Sequence, residues 1–268
     1  MTEFRLESLG RDIGCIIHGP DLRHPTDNEV SGIRTALRQH LVVFFRDQQL
    51  SPDSLYGLAI KLGTPTPYPF VDGIDGMPEV VEIIKRPEDT VNFGGVWHSD
   101  TAYLEEPAMG ALLYGVEIPE QGGDTLFANM YAVLESLSPG LRQFLSGLRA
   151  FNDADKVTIS QTRPGAGKKG LKAIHPAVRT HPETGRQLLY INRAHTTRFE
   201  GWTEEESLPL LEFLCERIEQ PDFGCRFKWR RGSLAFWDNR ACQHFPVNDY
   251  DGHLRKMLRI SFAGDRPV

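Results

Sequence analysis

Residues 97–100 read Trp-His-Ser-Asp, which sets the imidazole of His98 and the carboxylate of Asp100 two positions apart. On extended backbone that spacing sends both side chains from one face, so a short piece of chain can offer a metal ion two ligands. Such a triplet carries little weight by itself in a chain with nine histidines and 36 acidic residues. Indeed His181-Pro182-Glu183 matches it again, inside a turn-like THPETGR with no evident companions. The first pair gains a partner in His244, at the end of GSLAFWDNRACQH. Two His and one carboxylate occupy one face of an ion and leave three positions open, an arrangement suited to Fe(II) that must also bind a cosubstrate and O2. Arg255 and Arg259 follow, and on a strand their even separation puts both guanidinium groups on one face. Their planar forks suit carboxylates, so a dicarboxylic cosubstrate is the natural guest. Thr125, in GGDTLF at the start of a predicted strand, can add a hydroxyl to the same carboxylate.

These residues need a scaffold that brings positions 98, 125, 244 and 255 together. Strand character is read at Val80–Ile84, Ala111–Glu117, Thr125–Ala128, Gln187–Asn192, Cys225–Trp229, Ser233–Trp237 and Met257–Ala263, with the apolar run LVVFF as a further buried strand. Helices are read after Thr26, whose spacing to Glu29 makes a capping box, and from Ser51-Pro52 to a stop at Gly63. Others follow Asn129 and Ser138-Pro139, and one spans about Pro209–Glu219. Short strands mostly not alternating with helices argue against a parallel βαβ sheet. They predict a mainly antiparallel, mixed α+β domain with a jelly-roll core flanked by helices. No linker or repeat divides the chain, so residues 1–268 are read as one domain. Residues 162–174, TRPGAGKKGLKAI, are Gly-rich and carry four cations. They are read as a mobile surface loop, with a lid over an anionic substrate as the functional alternative.

Composition narrows the function. With 40% hydrophobic and 25% charged residues the chain is ordinary globular material, and a net charge of −6 gives no global attraction to nucleic acid or anionic lipid. The longest apolar runs fall far short of the roughly 20 residues a spanning helix needs. The N-terminal MTEFRLESLG lacks the features of a secretion signal. Cys15, Cys215, Cys225 and Cys242 are scattered and read as reduced packing residues. The expectation is a cytoplasmic protein without nucleic-acid or membrane partners, able to form a homo-oligomer.

The ordered set WHSD at 97–100, GGDT at 122–125, WDNRACQH at 237–244 and RKMLR at 255–259 resembles the TauD/TfdA family of Fe(II)/2-oxoglutarate-dependent dioxygenases. LVVFFRDQQLSPD at 41–53 and LYINRAHTTRFEGW at 189–202 extend the likeness over nearly the whole chain. The resemblance implies a double-stranded β-helix with His98, Asp100 and His244 as iron ligands. It assigns Thr125 and Arg255 to the distal carboxylate of 2-oxoglutarate and sets Arg259 near both cosubstrate and substrate. It further implies O2 as cosubstrate, succinate and CO2 as coproducts, and hydroxylation of an unactivated C–H bond. The carboxylate at 100 favours hydroxylation over halogenation, which would need that position for a halide.

The resemblance also points away from taurine. In LGTPTPYPFV, Tyr68 stands where taurine-cleaving members place a His and Val71 where they place a Tyr, and Gly94 replaces an Asn four positions before the first ligand. The small residues of NFGGVWHSD leave room beside the metal. Tyr68, Phe70, Asn92, Tyr103 and His195 are candidate substrate walls, with Arg259 as anchor. They suit a small organic acid with an aryl or larger alkyl body: an aryloxyalkanoate, a sulfonate or a sulfate ester. Alternatives are desaturation, epoxidation or ring closure of a biosynthetic intermediate by the same cofactors, and a non-enzymatic jelly-roll binding protein. Between the two His-x-acid matches the choice is testable. His98→Ala or His244→Ala abolishes succinate formation from 2-oxoglutarate, whereas His181→Ala leaves it nearly unchanged; the reverse order would move the metal to the second match.

Overall fold

The computed structural model describes residues 4–156 and 170–268. Two of its strands, β3 (Val42–Phe45) and β14 (Leu234–Asp238), decide the layering. Side chains alternate between the faces of a strand. Val42, Phe44, Ala235 and Trp237 accordingly enter one hydrophobic core, while Val43, Phe45, Leu234 and Phe236 enter another. A sheet buried on both faces explains why LVVFF and LAFW are continuous apolar runs rather than alternating ones.

The large sheet has the order β1 (Arg5–Ser8), β2 (Cys15–His18), β3, β14, β6 (Gly110–Glu117), β16 (Arg255–Phe262), β4 (Pro65–Thr66), with β5 (Val80–Lys85) also paired to β16. Facing it is a smaller sheet of β13 (Gly224–Phe227), β7 (Thr125–Asn129) and β15 (Cys242–Pro246). Aromatic rings join the two. Phe44 stacks on Phe227 at 4.0 Å between centroids and meets Phe127 edge-on at 5.5 Å, and Phe127 lies 6.0 Å from Trp237. Removing one such ring, as in Phe44→Ala, costs about 3–5 kcal/mol.

The outer face of the large sheet is covered by α1 (Asp27–His40) and α2 (Pro52–Leu62), which bury Ile33, Leu37, Leu55, Leu58 and Leu62 against it. Both helices start where expected. Thr26 and Glu29 bond reciprocally at the head of α1, and Ser51 and Ser54 do the same for α2. On the far side lie α3 (Met130–Glu135), α4 (Pro139–Ser146), α5 (Glu204–Ile218), a sheet of β12 (Thr196–Phe199), β8 (Arg149–Asp153) and β9 (Lys172–Pro176), and the pair β10 (Val178–Thr180) with β11 (Gln187–Leu189). This is the helix-flanked, mainly antiparallel jelly roll that the sequence predicts. No helix among the described residues is long and apolar enough to cross a membrane.

Several boundaries differ for physical reasons. The last long helix begins at Glu204, five residues before Pro209, because Thr203 and Glu206 form a capping box that starts it. The strand expected over Cys225–Trp229 ends at Phe227, and that over Gln187–Asn192 at Leu189. Of the loop read over 162–174, residues 162–169 lie outside the described residues. Lys172 to Ile174 belong to β9, fixed by pairing with β8 and by an ion pair between Lys172 and Asp153 at 3.1 Å. All four cysteines are free and buried, as packing residues are; burial pushes the thiols of Cys15 and Cys225 up to about 12.

His181 is no ligand candidate, yet it has companions that the sequence did not reveal. It is 1% exposed, and its Nε2 lies 3.1 Å from Asp238 Oδ2. Its Nδ1 accepts from the backbone N–H groups of Glu183 and Thr184, both at 3.2 Å. A backbone N–H can only donate, so Nδ1 is the acceptor and the Nε2 hydrogen is directed at Asp238. Arg240 completes the cluster with a fork onto Asp238 and a bond to Glu183 at 2.7 Å. Burial alone would raise the Asp238 carboxyl, but hydrogen bonds from Arg240 and His181 outweigh it and hold it at about 2, below its ordinary 3.8. The unfolded chain therefore takes up this proton first. The associated stability is complete above about pH 4 and disappears as pH falls toward 2. Asp238→Asn should narrow the difference in unfolding free energy between neutral and acidic pH, measured by urea titration; an unchanged difference would contradict the assignment. His181→Ala, silent for the chemistry, should still lose about 1–3 kcal/mol of stability.

Candidate active site

His98 and His244 are joined by their own backbones. The N–H of His98 donates to the His244 carbonyl at 3.1 Å and the N–H of His244 donates back at 2.9 Å, an isolated antiparallel bridge between residue 98 and β15. The extended segment expected over 98–100 is thus a single bridge. Asp100 lies in the turn that follows, where Thr101 takes a left-handed φ of 51°. The turn still delivers the carboxylate. One ligand atom each from His98, Asp100 and His244 lies within 4.8 Å of the others, and all three residues are buried. Asp100 Oδ1 is 3.7 Å from His98 Nε2 and 4.0 Å from His244 Nε2.

The electrostatics suit a divalent cation. His98 Nδ1 lies 2.6 Å from the Val96 carbonyl. A carbonyl only accepts, so Nδ1 carries a proton and Nε2 is the ring nitrogen turned toward Asp100. Burial, reinforced by the neighbouring His98, pushes His244 well below its ordinary value and keeps it neutral. For Asp100 burial works against ionisation, but the Arg259 guanidinium and the two imidazoles prevail and hold the carboxyl well below its usual range. Two imidazoles and one ionised carboxylate are a donor set that fits Fe(II) and similar ions.

A cavity runs from these atoms past Phe127 and Trp237 to Thr125 and Arg255. Thr125 Oγ1 accepts from the indole N–H of Trp229 at 2.9 Å, which leaves its own hydrogen to donate. Arg255 is 6% exposed; its Nη2 donates to the Gly123 carbonyl at 3.3 Å, and its Nε has no hydrogen-bond partner among the described residues. Burial lowers its pKa, the sign of a cation in a poorly solvated place. An anion beside Thr125 would relieve that cost, so the pocket fits one carboxylate of 2-oxoglutarate. Gly123 admits the guanidinium because it has no side chain: a Cβ there would lie 3.3 Å from Arg255 Nε and 3.2 Å from Tyr250, at a φ of +69°.

Arg259 takes a different position on the same strand. Its Nη2 lies 2.5 Å from Asp100 Oδ1, and the guanidinium carbon sits 5.5 Å from the Tyr68 ring and 5.6 Å from that of Trp237. It lines the same cavity as Thr125 and Arg255 and also borders the aromatic side of the site. There Tyr68 meets Phe70 at 6.1 Å and Phe93 at 5.9 Å, Phe70 meets Tyr103 at 5.6 Å, and Tyr103 meets His195 at 4.9 Å. The His195 ring is 6.4 Å from that of His98. Asn92 does not join this wall. Its Nδ2 donates to the Val247 carbonyl at 2.9 Å and its Oδ1 accepts from the Tyr250 hydroxyl at 2.6 Å, so it ties the segment before His98 to the chain after β15. Tyr250 and Trp229, which brace Asn92 and Thr125, carried no motif that would have marked them in the sequence. Asn239, bonded to Asp100, stood unremarked inside WDNR.

The buried His-Asp-His face, the adjoining anion pocket and the jelly roll together define a non-haem metal oxygenase type of site. The model of the "Taurine catabolism dioxygenase TauD, TfdA family" matches residues 6–261, and the chain belongs to this family. It is 30% identical to an alpha-ketoglutarate-dependent sulfate ester dioxygenase of Pseudomonas putida, over 97% of this chain and 88% of that one. It is 31% identical to an alpha-ketoglutarate-dependent 2,4-dichlorophenoxyacetate dioxygenase of Cupriavidus pinatubonensis, over 92% and 93%. Among solved structures, a taurine dioxygenase from Burkholderia xenovorans superposes with a TM-score of 0.87 at 37% identity, covering 99% of this chain and 91% of that one.

Gly94 shows how closely the segment before His98 is built. Its φ is +74°, and a Cβ there would lie 3.0 Å from His98 Cε1 and 3.3 Å from Nε2. Gly94→Ala should cost about 1 kcal/mol in backbone strain and displace the imidazole. Thermal unfolding and Mn(II) titration should register both effects, and unchanged Mn(II) affinity would contradict the contact.

Proposed function

We propose that this protein is an Fe(II)- and 2-oxoglutarate-dependent dioxygenase that hydroxylates a small organic anion carrying an aryl or extended alkyl body. The observation that carries this reading is the placement of two buried arginines, Arg255 and Arg259, in one cavity with the buried histidines of the His-Asp-His face. Arg255 lies beside Thr125, and Arg259 lies beside the Tyr68 wall. Bound Fe(II) supplies activation of O2 coupled to oxidative decarboxylation of 2-oxoglutarate to succinate and CO2.

The chain's own residues would do the rest. His98, Asp100 and His244 would hold the ion. Thr125 donates its hydroxyl, and Arg255 its Nε–H, to the distal carboxylate of the cosubstrate, fixing where its keto acid end falls. Arg259 offers charge to the substrate's anionic group while keeping its contact with Asp100. Tyr68, Phe70 and Tyr103 pack the substrate body and exclude water, which directs the oxidant to one C–H bond. O2, 2-oxoglutarate and R–H balance to R–OH, succinate and CO2. When the hydroxyl enters beside an ester or ether oxygen, the product is hemiacetal-like and collapses to an aldehyde and the released anion or phenol.

The activities of the relatives, on sulfate esters and on 2,4-dichlorophenoxyacetate, support this substrate class, and the aromatic wall supports members with more body than taurine. Anaerobic titration with Fe(II) and then 2-oxoglutarate should produce the weak visible band of a chelated keto acid. That band should be absent in Asp100→Ala and need about tenfold or more extra 2-oxoglutarate in Arg255→Ala, since a charged hydrogen-bonded pair is worth about 1.5–3 kcal/mol. Folded protein without a saturable band would overturn the cofactor assignment. Turnover confined to uncharged or cationic compounds in a broad panel would overturn the substrate class.

A further inference from the structure

Asp100 presents two oxygens, and only one of them faces the histidines. Oδ1 lies 3.7 Å and 4.0 Å from the two Nε2 atoms, whereas Oδ2 accepts from Asn239 Nδ2 at 2.8 Å. The orientation of the Asn239 amide follows from chemistry. Its other end accepts from the indole N–H of Trp237 at 2.9 Å and from the backbone N–H of Asp100 at 3.2 Å. Both of those groups can only donate, so the amide oxygen must face them and the amide nitrogen must face Asp100 Oδ2. Asn239 is 2% exposed, and its own N–H is bound to the Met109 carbonyl at 2.9 Å. On either side the chain is held by the buried Trp237, whose ring packs tilted against Phe127 and His244, and by the Asp238–Arg240–His181 cluster.

We propose that Asn239 is a positioning residue that restricts Asp100 to ligation through one oxygen, an inference that rests on the metal site proposed above. The consequence is a count of positions. Three single-atom ligands leave half of a six-coordinate ion free, enough for a chelating keto acid and one further small molecule. A carboxylate free to turn and bind through both oxygens would take one of those places. Engaging Oδ2 in a bond to a rigid amide makes that turn costly.

The test compares Asn239→Ala and Asn239→Leu with the unaltered protein by anaerobic titration of 2-oxoglutarate at saturating Fe(II), alongside the melting temperature of the metal-free forms. Asn239→Leu keeps about the same volume but can neither donate to Asp100 nor accept from Trp237. Both variants should bind 2-oxoglutarate about 10- to 100-fold more weakly, the usual effect of removing a ligand's supporting hydrogen bond, with the visible band displaced. A lower melting temperature with unchanged affinity and band would reduce Asn239 to a packing role and overturn the proposal. Should neither variant fold, Trp237→Phe leaves Asn239 in place but removes one of the two donors that fix its amide; a displaced band supports the proposal, and an unchanged band and affinity overturn it. If the unaltered protein gives no band while remaining folded, the metal reading fails and this one with it.

Discussion

The two backbone hydrogen bonds between His98 and His244 are the constraint on which the site depends. They join an otherwise irregular segment to the edge of the small sheet. In doing so they fix the separation of two imidazoles that are 146 positions apart in sequence. The bridge needs both partners to be held independently. β15 is held by pairing with β7, where His244 sits opposite Phe127, and the segment before His98 is held through Asn92 by the chain at Val247 and Tyr250. A strand, a turn and a tie from one side chain thus replace the continuous strand that the His-x-Asp spacing suggested.

Charge is the second organising element. Asp100 is a buried carboxylate, and a buried anion survives only with compensating partners. Arg259 supplies one, which is why the guanidinium lies against the ligand face and is raised in pKa despite its burial. Arg255 has no carboxylate in ion-pair contact among the described residues, and burial lowers its pKa against the weaker pull of Tyr250 and Asp124. The same residue type, four positions along one strand, is therefore in two electrostatic states. One is paired within the protein and one is prepared for an incoming anion.

Most of the architecture was legible because burial writes itself into residue pattern. Continuous apolar runs at LVVFF and LAFW marked strands covered on both faces, and capping boxes marked the starts of α1 and α2. β15 was not marked: Cys-Gln-His-Phe-Pro is short, mixed in polarity and closed by proline, and it becomes a strand by pairing with β7. The start of α5 lies at the Thr203–Glu206 cap rather than at Pro209, which the helix carries in its interior at the loss of one backbone hydrogen bond. In the site, residue types that bond metals and anions announced His98, Asp100, His244, Thr125 and Arg255. The residues that orient them did not. Asn92 looked like a substrate contact but is spent on backbone carbonyl and phenol, and Tyr250, Trp229 and Asn239 act through geometry that has no sequence period.

The central claim is that one ion is held by His98, Asp100 and His244, with the cosubstrate's far carboxylate at Arg255. Anomalous X-ray scattering at the iron edge, from crystals grown without oxygen in Fe(II) and 2-oxoglutarate, tests it most directly. The account predicts a single anomalous peak at about 2.0–2.3 Å, the usual range for nitrogen and oxygen donors to such ions, from both Nε2 atoms and Asp100 Oδ1, with dicarboxylate density reaching Thr125 and Arg255. A peak elsewhere, or a dicarboxylate bound through Arg259 with Arg255 untouched, would contradict it.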